Sequence, residues 1–304
     1  MGYKNATETT QAYLENTPLP VHGKSYTVIS HKNVIDNTKK LLEDSGFTIS
    51  KEIYRANMNA QVAQGIYHIY PTKSIDDLVN NESELGMMFA WTNSYDKSAR
   101  FQCAIGAHVF VCGNGMMAGD MMNFKRKHTG SASHDIVMEL NNQIKNGEKH
   151  YKRMISDRDS LRNISLTTRQ QSELLGRLFV DEDILTSTQA ICVKKEINKS
   201  SYDYNCNDDN AWTFYNHITH SLKKSTPRDW MQDTQNFHDF MMTEVVNTPL
   251  PSLLENIDIS NFDTTIDENF DINDIKDIIN ENNGTIEIDE DITPLQLTYD
   301  TRLS

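Results

Sequence analysis

Apolar positions in the first part of the chain predict one helix followed by four strands. Val34, Ile35, Leu41 and Leu42 recur at helical spacing, so residues 32–45 form the predicted helix, which Gly46 ends. Runs rich in β-branched and aromatic residues predict strands over residues 47–54, 62–70, 85–92 and from 100 onward. Most of these strands are joined by short polar segments. Short connections favour an antiparallel sheet, because parallel neighbours need long crossovers.

A long helix is predicted to follow the sheet, from about His134 to Leu161. Its apolar seam alternates at spacings of three and four residues, over Val137, Leu140, Ile144, Gly147, Tyr151, Met154, Arg158 and Leu161. Only Gly147 and Arg158 in this set are not apolar. The regular seam indicates a helix that packs along its length against the sheet.

The chain beyond Arg162 has helical periodicity up to about residue 246. Helices are predicted over residues 168–180, 184–197, 211–222, and after Thr226-Pro227. The predicted fold class is therefore α+β, with an antiparallel β-sheet packed on a long helix, a helical C-terminal half and an acidic disordered tail. The corresponding regions are an irregular lead-in (1–30), the α+β core (31–165), a helical region packed on it (166–246), and the largely disordered tail (247–304).

Charge is distributed unevenly along the chain. Of the net −14, residues from Ser252 onward contribute −12, with 14 acidic and 2 basic residues, and the first 251 residues contribute −2, with 29 acidic and 27 basic. Between Lys125 and Arg177 there are 11 basic and 6 acidic residues, a balance of +5. A nearly neutral body with a basic centre is compatible with nucleic-acid binding, although the total charge is negative.

Two groups of basic residues are the candidate nucleic-acid contacts. The first group follows the apolar run around Cys112 and consists of Lys125, Arg126, Lys127 and His128. The second group lies on the side of the long helix away from its seam and consists of Lys145, Lys149, Lys152 and Arg153. Such a stripe is typical of a surface that follows phosphates, and an ordinary solvated helix face has the same pattern.

The sequence gives no positive argument for catalysis. The four cysteines have no CxxC spacing, which favours reduced, buried thiols. His217 and His220 are three apart on a predicted packed helix, where they are expected to be partly exposed, and no third metal ligand is evident. Gly113-Asn114-Gly115 lacks the further residues of a phosphate-binding loop and predicts a turn. A non-enzymatic protein with no cofactor and no bound metal is therefore the preferred expectation, and an enzyme of nuclease type, which would need a metal, is left open as a further hypothesis.

Two motifs resemble an uncharacterised phage, plasmid and prophage family, domain of unknown function 932. The first is Val111-Cys112-Gly113-Asn114-Gly115-Met116-Met117-Ala118-Gly119-Asp120, followed by Lys127-His128-Thr129-Gly130. The second is Ala211-Trp212-Thr213-Phe214-Tyr215-Asn216-His217-Ile218-Thr219. The resemblance covers roughly residues 30–245 and implies a mobile-element setting in the cytoplasm of a bacterial host, with no catalytic residues to assign.

These observations lead to a functional expectation with one alternative. We expect a protein that binds nucleic acid, preferably single-stranded DNA, in recombination or replication, with a homo-oligomeric state left open. The predicted element order is similar to the core of single-strand annealing proteins, which is a fold-level analogy. The alternative is a protein-binding factor for host takeover or counter-defence, whose tail (252–304) mimics the charge of DNA. No segment is apolar and long enough to span a membrane, so we expect a cytoplasmic protein.

Overall fold

Four predicted strands form the centre of the fold; the first three are one or two residues longer than expected, and the fourth begins two residues later. The computed structural model describes residues 7–21, 28–73, 81–117, 132–206 and 208–247. The strands are β2 (Phe47–Ala56), β3 (Val62–Pro71), β4 (Leu85–Ser94) and β5 (Gln102–Val109), with the short β1 (Thr7–Thr9) and β6 (Gly115–Met116) at the edges. Their order is β1-β2-β3-β4-β5-β6, and every neighbouring pair is antiparallel. The predicted antiparallel sheet is therefore confirmed.

The lead-in contains regular structure that the sequence did not predict. Strand β1 pairs with β2, with Thr7 opposite Ala56, and helix α1 (Gln11–Glu15) follows it. The hydroxyl of Thr10 caps this helix by accepting the backbone N–H of Tyr13. Both elements are short, so their stability depends on packing against the rest of the fold, which a local pattern does not reveal.

The helices on one side of the sheet are α2 (His31–Asp44), α3 (Ala132–Lys145) and α4 (Gly147–Arg162). Ser30 caps α2 by accepting the N–H of Asn33. The predicted long helix forms as two consecutive helices, because Asn146 leaves helical geometry with φ −89° and ψ 1°. Backbone bonds from Asn146 to Asn142 and from His150 to Asn146 continue across the break. The chain therefore bends here without a loop.

The C-terminal half is helical, as predicted. It contains α5 (Thr168–Gly176), α6 (Ser187–Asn198), α7 (Ala211–Leu222) and α8 (Trp230–Met241), and wider helical turns follow α5 (Arg177–Asp181) and α8 (Met242–Asn247). Thr167 and Thr186 each form a reciprocal cap with the glutamine three residues later. The acidic tail lies outside the described residues.

The two faces of the sheet are covered to different extents. One face packs its side chains, among them Tyr67, Phe89 and Ile105, into a continuous core with α2, α3, α4 and α7. The predicted helix seam is largely confirmed, because its members from Leu140 to Leu161 are buried, while Val137 is half-buried. The opposite face carries a smaller cluster with Trp230 and Met231 of α8. No helix in the described part of the chain combines the length and the hydrophobicity that crossing a membrane requires.

Candidate nucleic-acid interface

The less covered face of the sheet forms a cleft. Successive residues of a strand point to opposite faces, so alternate side chains of β2 to β5 share this face. Trp230 and Met231 pack on Ile66, Met88 and Ala90 and cover one part of it. The remaining part bounds a cleft of about 690 Å³, whose lining includes Lys51, His68, Tyr70, His108, Phe110 and Cys112. This volume lies within the range of about 300–1,000 Å³ typical of ligand sites.

Aromatic rings cluster within the cleft. The rings of His68 and His108 stack with their centroids 3.7 Å apart and their planes 17° from parallel. Phe110 meets His108 edge-on at 5.2 Å, and it is 56% exposed, while Tyr70 is 50% exposed. Gly86 lies beneath this group, because a Cβ there would lie 2.4 Å from Nε2 of His108. Exposed rings of this kind can stack on planar ligands.

The two stacked imidazoles are uncharged at neutral pH. Burial, and then the charge of Lys51, lower the pKa of His68 to about 4. Burial, followed by His68 and Lys51, lowers the pKa of His108 to about 3. These rings therefore contribute stacking surface and hydrogen-bonding nitrogens to the cleft, and the positive charge comes from other residues.

A smaller recess adjoins the cleft and contains three basic side chains. Its volume is about 250 Å³, and it shares Lys51, His68, Cys112 and Gly113 with the cleft. Arg55 and Lys223 add further positive charge, and Trp230 also lines the recess. Burial lowers the pKa of Arg55 to about 10, so its guanidinium stays charged at neutral pH. Burial also lowers the pKa of Lys223.

Helix α7 holds the segment after β5 against the recess. Nδ2 of Asn114 donates to the backbone oxygen of Asn216 at 3.0 Å and to its Oδ1 at 3.2 Å. Nζ of Lys223 donates to the backbone oxygen of Cys112 at 2.5 Å. Gly113 has φ +65°, and its N–H donates to the backbone oxygen of Val109, so this segment is the predicted turn. The two motifs that carry the family resemblance therefore meet here.

The structure places the predicted basic residues in different situations. Lys125, Arg126, Lys127 and His128 lie outside the described residues. On the two consecutive helices, Lys145 and Lys149 are exposed and form no ion pair with any described residue. Lys152 pairs with Glu148 at 2.6 Å, and Arg153 lies 3.7 Å from Asp157. Half of the predicted stripe is thus partly neutralised, and it belongs to the helices that cover the other face of the sheet.

The sequence analysis missed the residues that line the cleft and the recess. A signal was present in the strand period of two, since Lys51, Ile53 and Arg55 alternate on β2. The corresponding face of β3 carries Ile66, His68 and Tyr70. Their position beside an open cleft depends on which part of the sheet the C-terminal helices cover, and a local pattern does not contain this information.

The chemistry of metals and thiols adds no second site in the described residues. No group of three or more histidine, cysteine or acidic side chains there is arranged to hold a metal, and the four cysteines are free thiols. The expectation that His217 is partly exposed was wrong, because α7 is packed on nearly all sides and leaves this ring 1% exposed. Burial lowers the pKa of His217 to about 4, so the ring is neutral. His220 is half-buried, as expected.

Comparison with known proteins identifies a family and no characterised relative. The model of the family described as "Domain of unknown function (DUF932)" matches residues 18–243, which is well over half of the 304 residues. The match includes every strand from β2 to β6 and nearly all of the described helices. No curated protein and no solved structure matches the chain.

Proposed function

We propose a function from the open face of the sheet, since the chain belongs to the family described as domain of unknown function DUF932 and this description names no activity. The protein binds single-stranded nucleic acid and catalyses no reaction. The proposed nucleic acid is DNA in preference to RNA. The proposed setting is the recombination or replication of a phage or plasmid in the cytoplasm of a bacterial host, as expected from the two motifs.

The observation that supports this proposal is the set of rings in the cleft. Tyr70 and Phe110 are exposed, each two residues after one of the stacked His68 and His108 rings, and they line the cleft together with Lys51. Unpaired bases present their faces to such rings, and each base that stacks on an aromatic side chain contributes about 1–3 kcal/mol. Bases of a duplex are already stacked on one another, so this surface favours a single strand.

Lys51 supplies the charge that a phosphate backbone requires. It is exposed, lines both the cleft and the recess, and forms no ion pair with any described residue. Among the described residues that line the cleft, Glu82 carries the only carboxylate, and Arg158 neutralises it through a bond of 2.9 Å. A strand in the cleft therefore meets a positive electrostatic environment, which is the sequence-independent part of nucleic-acid affinity.

Removal of the exposed rings tests the proposal. We expect Tyr70→Ala and Phe110→Ala each to weaken binding of a 20-nucleotide single strand about 5- to 150-fold, because each substitution removes one stacking surface. Fluorescence anisotropy with labelled polythymidine measures the affinity, and a duplex of the same length provides the comparison. Tyr13→Ala is the matched control, since Tyr13 is 49% exposed and lines neither the cleft nor the recess. Equal affinities for all three variants and the wild type would refute the proposal.

A second comparison separates the cleft from the predicted helix stripe. Lys51→Gln is expected to reduce the slope of log affinity against log salt by about 0.7, the value for one phosphate contact on a single strand. The triple change of Lys145, Lys149 and Lys152 to Glu tests the stripe. Weaker binding and a flatter salt dependence in the triple variant alone would assign the strand to the stripe and overturn the cleft as its site.

A further inference from the structure

The recess beside the cleft has more positive than negative side chains among its described lining residues. Lys51, Arg55 and Lys223 line it, and Glu8 is the only acidic residue in this described lining, which leaves a formal balance of +2. Arg55 is 8% exposed and forms no ion pair with any described residue. Glu8 lies opposite Arg55 in the register of β1 and β2 and acts against burial to raise its pKa, but it forms no ion pair with it. Buried charges in proteins are usually paired, so a guanidinium without an ion pair, in a recess that Lys51 and Lys223 also line, indicates a site for an anion.

The polar contacts of these side chains leave donors free for a ligand. Arg55 donates to Oε1 of Gln64 at 3.0 Å and to the backbone oxygens of Lys223 and Ser225 at 3.1 and 2.5 Å. A guanidinium has five N–H groups, so these three bonds to described residues leave two. The ammonium of Lys223 uses one donor on Cys112, and Lys51 forms no hydrogen bond with a described residue.

The dimensions of the recess fit a phosphate better than a whole nucleotide. Its volume of about 250 Å³ is below the range of about 300–1,000 Å³ typical of complete ligand sites. The adjoining cleft of about 690 Å³ shares four lining residues with it, so one ligand can occupy both spaces. The wall of the recess includes Trp230, whose ring packs so close to Gly115 that a Cβ there would lie 2.6 Å from it.

We propose that this recess is a phosphomonoester site, which holds the terminal phosphate of a single strand whose adjacent bases lie in the cleft. The proposal deepens the proposed function and rests on it. A terminal phosphate carries a charge of about −1.5 to −2 at neutral pH, whereas an internal phosphodiester carries only one negative charge. The formal charge balance of +2 in the recess matches the charge of a terminal phosphate. Hydrogen bonds between ionised partners are also stronger than those between neutral partners.

Three otherwise identical 12-nucleotide thymidine strands test this site. One carries a 5′-phosphate, one a 3′-phosphate, and one hydroxyl groups at both ends, and each has the same internal fluorescent label. We expect the full-length protein to bind one of the phosphorylated strands about tenfold more tightly than the hydroxyl strand, a difference equivalent to one strong charged contact. The end that gives the preference identifies the polarity of the bound strand.

Substitutions connect this preference to the recess. Lys51→Gln, at an exposed position without a structural partner, is expected to abolish most of the preference for the phosphorylated strand. Lys195→Gln is the matched control, because Lys195 is exposed on α6 and lines neither the cleft nor the recess, and it should keep the full preference. A preference that is unchanged by Lys51→Gln would place the phosphate elsewhere and overturn the proposal.

The outcomes distinguish this proposal from the proposed function. Equal affinity for all three strands would refute the phosphomonoester site and leave single-strand binding intact. If no strand binds but thymidine monophosphate does, measured by isothermal titration calorimetry with thymidine as control, single-strand binding fails and the recess serves a free nucleotide. Absence of binding by every probe would refute both.

Discussion

At the scale of single residues, the charge of Arg158 is buried in the middle of an otherwise apolar seam. Its guanidinium donates to both carboxylate oxygens of Glu82 and to one oxygen of Glu84, each at 2.9 Å. Burial alone would raise the pKa of Glu82. The bonds from Arg158 and from the backbone N–H groups of Glu84 and Leu85 outweigh burial, so the pKa is lowered. Arg158, the charged residue in the predicted apolar seam, therefore forms an ion-paired contact between α4 and the segment before β4.

Replacement of this guanidinium is expected to cause a pH-dependent loss of stability. Arg158→Met leaves Glu82 without its ion-pair partner, while Glu84 keeps Arg162, and we expect the free energy of unfolding at pH 7 to fall by about 3–5 kcal/mol. In the folded wild type the pKa of Glu82 lies below its unfolded value of about 4.5. The ionised carboxylate therefore stabilises the fold fully above about pH 4.5, and this stabilisation is lost as the pH falls through the folded pKa. The difference between wild type and variant should therefore shrink at acidic pH.

Urea unfolding at pH 7 and at progressively lower pH measures this difference. The control is the double variant Arg158→Met with Glu82→Gln. It removes the charge of the carboxylate that has lost its partner, and it should recover part of the lost free energy of unfolding at pH 7. An equal loss at every pH would show that Arg158 stabilises the fold through packing of its side chain alone.

At the scale of elements, α4 begins in close contact with the sheet. Gly147 begins α4 at a position where a Cβ would lie 2.3 Å from Cδ1 of Ile105 on β5. The absence of a side chain thus lets the helix approach the strand closely. The sequence showed Gly147 on the apolar seam, but it did not show that the residue opposite is a fully buried isoleucine.

The substitution Gly147→Ala tests this close approach. In an ordinary helix the change would stabilise the protein by about 0.5–1 kcal/mol, because alanine loses less conformational freedom on folding. Here the added methyl group overlaps Ile105, and we expect a net destabilisation of about 1–3 kcal/mol. The loss should be recovered in part by Ile105→Val, which removes the methyl group that would clash. Thermal and urea unfolding measure both effects.

Gly176 provides the matched control. It is an exposed glycine at the end of α5, with helical φ −60° and ψ −47°, and a Cβ there would meet nothing within 4 Å. Gly176→Ala should therefore stabilise the protein. If both alanine variants were stabilised equally, the close contact between α4 and β5 would not limit this position.

Local periodicity was sufficient to predict most elements but not the cleft. The helices α2 and α7 and the four long strands follow from spacings within their own segments, which is why their predicted and observed bounds differ by only a few residues. The recess depends on a contact of Arg55 with the backbone of Lys223, 168 residues later in the chain. Pairings at this distance are decided by packing, which no short window of sequence contains.

At the scale of the whole molecule, the charge of the tail opposes the proposed function of the body. Residues 252–304 carry −12 of the net −14, and the remaining chain is close to neutral. A strand and the tail would repel each other, and the tail would also compete for the same basic side chains. This effect weakens with ionic strength, since the screening length falls to about 3 Å at 1 M salt.

Deletion of residues 252–304 is expected to tighten single-strand binding at low salt, with a difference that disappears as salt is raised. Anisotropy titrations of the full-length and shortened proteins measure it. A second version, in which the 14 acidic residues of the tail are changed to Asn and Gln, separates charge from chain length. Unchanged affinity in both versions would contradict the electrostatic role. Absence of strand binding in every form, together with loss of biological effect on deletion, would favour the protein-binding alternative.

The bond from Arg55 to the end of α7 has a practical consequence for dissecting this protein into fragments. The first strands supply Lys51 and Arg55, while Lys223 and Trp230 come from the far end of the described chain. A truncation after residue 165 would remove Lys223 and Trp230 from the recess and leave the guanidinium of Arg55 without its carbonyl acceptors. Such a piece would lose the phosphate preference even if its sheet persisted, so a negative result with an isolated N-terminal fragment would say nothing about the intact chain.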